Sequence, residues 1–229
     1  MDPEDCRAAV IWSHYHELLL KQFLVNLGRA VLLFSSVMLL FALPGAWERL
    51  GGTPWPQTGF FVLALLDAVL PLSLLVATLF TVGPRAHFKE LAGLTASGYS
   101  MIQILWPLLA VAAAAMIYSL AIRWADVPLG GPPDLTETAR QTTFWAKWAY
   151  PAIHLFAVMA GIILASSPTR KSVYGGFLPA LGWVIGFMVV DVGAQIMGRH
   201  EILPPVVAGW LGPVLGAVTL AVMWRRARL

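Results

Sequence analysis

Cysteine is almost absent from this chain. Cys6 alone cannot close an intrachain disulfide, and no Cys/His cluster has the spacing of a zinc site, so redox and structural-metal roles start without a framework. Charge is scarce too: only 12% of the 229 residues are Asp, Glu, Lys or Arg, where a soluble domain carries roughly 25%. Most side chains must therefore face lipid or one another. The common catalytic signatures are missing: there is no P-loop, no nucleophile elbow, no paired-histidine zinc motif and no paired-aspartate motif of intramembrane proteases. Any nucleotide hydrolysis has to be done by another chain, and no cofactor, metal or nucleic-acid partner is expected. The first 22 residues hold Asp2, Glu4, Asp5 and Glu17 and lack a basic region followed by a short apolar stretch, so a cleaved signal peptide is not expected.

What the sequence does have is apolar length. Hydrophobic residues make up 59% of it and the mean hydropathy is +0.74. A bilayer core about 30 Å thick needs about 20 apolar residues in a helix. Six runs meet that requirement, over approximately 23–43, 59–82, 101–122, 148–165, 175–197 and 205–224. The expected fold is an all-α polytopic membrane protein, one transmembrane domain over 1–229 with six transmembrane helices. Arg29 interrupts the first run and has to reach toward a headgroup. With the N-terminus inside, ten of the fifteen Lys and Arg fall on the cytoplasmic side, so both termini are expected in the cytoplasm. Small residues four apart, Gly182 and Gly186, Gly212 and Gly216, Ala157 and Gly161, are expected to bring helices close.

Two segments outside the spans have helical patterning. Residues 1–22 read as an interfacial helix with Ile11, Trp12, Tyr15, Leu18 and Leu19 on its apolar side, continued by Phe23. Residues 84–98 read as a short amphipathic helix. Pro84 opens it, Phe88, Leu91 and Thr95 share a face, Glu90 is presented, and Gly98 supplies a left-handed end. That pattern fits either a connector lying among headgroups or a docking helix for a cytoplasmic partner. Residues 124–146, rich in Pro and Asp, read as an irregular external tether. Eight strands of about five residues would need some 40 residues before any turns, so no β-domain fits there.

Besides Arg29, the residues Asp67, His154 and Asp191 place ionisable groups within the spans. Such groups are costly in lipid and are functional candidates. The bland alternative is a carboxylate satisfied by a neighbour such as Gln195 or Ser35, and a His154 ring bonded to a carbonyl freed by Pro151.

Three blocks resemble the LptF/LptG (YjgP/YjgQ) permeases of the lipopolysaccharide-export ABC transporter. The first is Leu70-Pro71-Leu72-Ser73-Leu74 followed by Glu90-Leu91 and Ala96-Ser97-Gly98-Tyr99-Ser100. The second is Lys147 and Pro151, the 166–171 loop and Gly176-Phe177-Leu178-Pro179. The third is Leu203-Pro204-Pro205 with Trp210. The resemblance implies a half-transporter in the bacterial inner membrane. It would pair with a second such permease, or a second copy of itself, around a cavity for a lipid cargo, and an LptB-like ATPase dimer would drive it. It makes 84–98 a coupling helix that meets the ATPase through Phe88, Glu90, Leu91 and Leu94, and it gives Arg49, together with Arg29, a role at the lipid headgroup. The chain departs from the family in lacking a periplasmic β-jellyroll between the third and fourth spans and in having Gly212-Pro213 where the family tends toward Pro-Asn. Cargo handover would then need a separate periplasmic acceptor protein. The expected function is an ABC-type permease subunit for a lipopolysaccharide-like or other anionic amphiphile. The alternatives are a non-transporting scaffold of the same origin and, more remotely, an intramembrane enzyme.

Overall fold

A computed structural model of the chain describes residues 3–50, 55–125, 136–166 and 176–227, with side chains over 14–40, 62–125, 136–166 and 176–226. The described residues form helices only: α1 (Pro3–Leu50), α2 (Trp55–His87), α3 (Glu90–Ala96), α4 (Met101–Ala125), α5 (Glu137–Ala149), α6 (Ala152–Ser166), α7 (Phe177–Arg199) and α8 (Pro205–Ala227). Five stretches are long and apolar enough to cross a membrane: His14–Leu40, Val62–His87, Met101–Ala125, Phe177–Arg199 and Pro205–Arg226.

The fourth expected span, 148–165, is not one straight helix. Alone, α6 has 15 residues, too few at 1.5 Å each for a hydrocarbon core. It completes a crossing only together with α5, from which it is bent by 44° at Pro151. Proline cannot donate to the helix ladder and its ring crowds the preceding turn, so the chain turns there. The expected tether over 124–146 is corrected in the same region. Its second half is α5, capped by Thr136, whose hydroxyl accepts from the Ala139 amide at 3.3 Å. Residues 126–135 lie outside the described residues. Ala139, Thr142, Ala146 and Ala149 are small and buried, which lets α5 lie close against α8, where a Cβ on Gly209 would meet the Ala146 amide at 2.9 Å.

α2 is the central helix, packed on α1, α4 and α6. Of its most apolar window 56% is buried inside the chain, against 11% for the first span, so α1 is peripheral. Leu19, Phe23 and Ala30 form the inner edge of α1. The helix expected over 1–22 is not set off from the first span: α1 runs unbroken, because no proline falls between Pro3 and Pro44. Gly161 and Gly212 do provide close approaches, since a Cβ would meet the Thr78 side chain at 2.8 Å and the Asp191 carboxylate respectively. Gly182 and Gly186 do not, having open space where a Cβ would stand.

Candidate functional site

The short helix between the second and third spans is narrower than the 84–98 expected. Pro84 does not open it. α2 continues to His87, because a proline removes only its own N–H while its carbonyl still accepts, here from the Phe88 amide at 2.9 Å. The break comes at Lys89, a non-glycine residue in the left-handed region (φ 61°). Seven helical residues follow. They end at Gly98 (φ 93°), where the Gly98 amide bonds the Thr95 carbonyl at 3.1 Å and the Tyr99 amide bonds the Leu94 carbonyl at 3.3 Å. This paired closure fixes the angle at which α3 hands over to α4.

Leu91 is buried and Leu94 half-buried, so these two hold α3 to the bundle. Phe88 is 69% exposed and the Glu90 side chain 54%. Thr95, one turn on from Leu91, is exposed. Arg85 anchors the segment from behind. Its guanidinium donates to the Thr81 carbonyl and to Gln22 Oε1 on α1, both at 2.7 Å, and its Nε lies 3.9 Å from Glu90 Oε2. Beside α3 a groove of about 420 Å³ is lined by His16, Tyr99, Ile102, Gln103 and Trp106.

The two headgroup candidates do not come together. Arg29 is exposed near the middle of the first span, while Arg49 stands close to the end of α1 and its side chain lies outside the described residues. The 20 residues between them amount to about 30 Å of helix.

The intramembrane residues divide into two places. Asp191 on α7 accepts from Gln195 at 2.8 Å, as the sequence allowed, and abuts Gly212 of α8. Asp67, 4% exposed, is paired with Arg123 at the end of α4, whose Nη2 reaches Asp67 Oδ2 at 3.1 Å. Ser35 is not its partner. The guanidinium lies over the Tyr150 ring, 3.5 Å from its centroid. His154, fully buried, places Nε2 3.8 Å from Asp67 Oδ1 and Nδ1 3.0 Å from the carbonyl of Pro151 itself. The sequence held one signal for this cluster. A lone arginine just past an apolar run has a long side chain that reaches back into the bundle when a carboxylate waits there.

Among the described residues no group of three or more His, Cys, Asp or Glu could hold a metal ion. No curated protein matches the chain. The family model described as "Lipopolysaccharide export system permease LptF/LptG" matches residues 18–131 and 127–226. The two matched segments meet within 127–131, between α4 and α5, where the family resemblance implied a jellyroll. The ten residues 126–135 that join the described helices there are too few for eight strands. On that match, spanning nearly all of its bundle, this multi-pass membrane chain belongs to the LptF/LptG permease family and lacks the jellyroll.

Proposed function

We propose that the chain is the membrane subunit of an ABC-type exporter of a lipopolysaccharide-like or other anionic amphiphile, driven by a separate LptB-like ATPase dimer. The observation that carries this is the construction of α3. It is a short capped helix rooted by Leu91 and braced by Arg85, with Phe88 and Glu90 left outside the bundle. Phe88, Glu90, Leu91 and Leu94 form the coupling site. A rigid lever seated in a moving domain drags the ends of α2 and α4 with it.

In this reading α3 faces the cytoplasm of a bacterial cell, both termini lie on the same side, and the membrane is the inner one. The sparsely covered α1 pairs with a second LptF/LptG-like permease or a second copy of this chain. Arg29 supports a lined cavity: an arginine facing lipid at mid-span costs about 3 kcal/mol, whereas one facing a cavity with anionic cargo does not. Arg49 would meet headgroups at the far end of α1, and a separate periplasmic protein would receive the cargo.

Affinity purification of the chain from its native membranes tests the reading, and an ATPase should accompany it. Glu90→Arg should abolish lipid-stimulated ATP hydrolysis by that complex while the bundle stays folded; normal coupling in this variant would defeat the proposal. That only ten residues, 126–135, stand in place of a jellyroll favours one rival, a scaffold that has given up transport. A stable membrane complex without any ATPase would establish it.

A further inference from the structure

Asp67 and His154 meet across the bundle in an arrangement that lacks a donor. The Pro151 carbonyl can only accept, so His154 Nδ1, 3.0 Å away, carries a hydrogen. In the neutral ring Nε2 is then a lone pair. It lies 3.8 Å from Asp67 Oδ1, which is also only an acceptor when ionised. Among the described residues neither atom has a hydrogen bond, and His154 is fully buried. Asp67 Oδ2 is already occupied by Arg123. One proton between Oδ1 and Nε2 would satisfy both orphaned atoms.

We propose that Asp67 Oδ1 and His154 Nε2 form a proton-binding site which, when filled, pins the first turn of α6 to α2. The proton comes from solvent and raises the charge of the Asp67–Arg123–His154 cluster from zero to one. Arg123 is the member of the cluster nearest the surface, its side chain being 28% exposed while that of Asp67 is 5% exposed. The Tyr150 ring face takes up part of its cationic field. Other titratable groups on the surrounding helices are engaged or remote. Tyr118 on α4 donates its hydroxyl to the Leu63 carbonyl, and Asp191 on α7 accepts from Gln195. Lys147 stands a turn before Tyr150 on α5, and Glu137 and Arg140 pair with each other. Arg29 of α1 is exposed, and Arg199 of α7 and Arg225 and Arg226 of α8 lie in last turns. Pro151 and His154 both sit at the 44° bend. Filling the site therefore fixes the bent crossing against the central helix, and emptying it leaves two facing lone pairs that push the helices apart.

The test is solid-state NMR of the full chain in phosphatidylethanolamine and phosphatidylglycerol bilayers, with nitrogen-labelled histidine and carbon-labelled aspartate. Spectra would run from mildly acid to mildly alkaline pH. The expected result is a single step shared by the His154 Nε2 and Asp67 carboxyl signals, with Nδ1 protonated throughout. A through-space correlation between the two residues should weaken on the alkaline side. Asp67→Asn and His154→Gln should each remove the step, and the latter identifies His154 among the five histidines. A bare Nδ1, two separate steps, no step, or a correlation indifferent to pH would overturn the proposal. The wild-type spectrum decides this even if both variants misfold. Because the measurement needs neither ATPase nor cargo, its failure leaves the permease reading untouched.

Discussion

Arg85 of α2 donates to the Gln22 side chain of α1 at 2.7 Å while its Nε faces Glu90 at 3.9 Å, so one guanidinium ties the first span, the second span and the start of α3 together. On the proposed coupling, a displacement of Glu90 would reach α1 through this residue as well as through the chain. Gln22→Ala should cost less than about 1 kcal/mol of stability, since Gln22 is exposed and the contact is partly screened. It should nevertheless raise the ATP consumed per lipid released. Both quantities are measurable in reconstituted vesicles, and an unchanged ratio would show that Arg85 transmits nothing.

Phe88 and Leu91 are expected to separate binding from folding. Phe88→Ser removes a side chain that the bundle leaves 69% exposed, so resistance to detergent unfolding should change by less than about 0.5 kcal/mol while ATPase retention drops. Leu91→Ala empties a buried site and should destabilise the chain by about 2 kcal/mol. If Phe88→Ser unfolds the protein and leaves ATPase retention intact, the assignment of faces on α3 is reversed.

The Asp67–Arg123 pair should show strong coupling. Arg123→Leu leaves a buried carboxylate without its cation, a change of about 3 kcal/mol or somewhat less, given the 28% exposure of the arginine. Adding Asp67→Asn should restore much of that loss. A double-mutant cycle by detergent titration measures it, and strictly additive single effects would mean that the pair makes no net contribution.

Two glycines one helix apart should answer alanine in opposite ways. At Gly212 the new methyl meets the Asp191 carboxylate, and forcing α8 away from α7 should cost about 1–3 kcal/mol. At Gly182 nothing stands within 4 Å, so the better helix propensity of alanine should leave stability unchanged or raise it by up to about 1 kcal/mol. Equal losses at both positions would show that Gly182 is covered in the membrane, for instance by a second subunit.

Part of the local structure around α3 was legible because its signals are local. Glu90, Leu91 and the Gly98 terminus could be placed on a short helix from spacing and glycine geometry alone, since a left-handed stop needs no distant partner. The start of that helix is not legible from Pro84, a weak stop because its carbonyl still accepts a hydrogen bond from the Phe88 amide. The partner of Asp191 was also legible, since Gln195 is one turn along the same helix.

Composition and run length, by themselves, determined a multi-pass helical membrane protein, because hydrocarbon admits only segments that satisfy their own backbone. Tertiary structure decided the rest. It bent α6 away from α5 by 44° at Pro151, placed Arg123 on Asp67 and His154 beside them, and set Gly212 but not Gly182 against a neighbour. Those relations join positions far apart in the chain on different helices. Helix periodicity fixes which face a residue takes on its own helix, but only the packed depth and rotation of the neighbouring helix fix what that face meets.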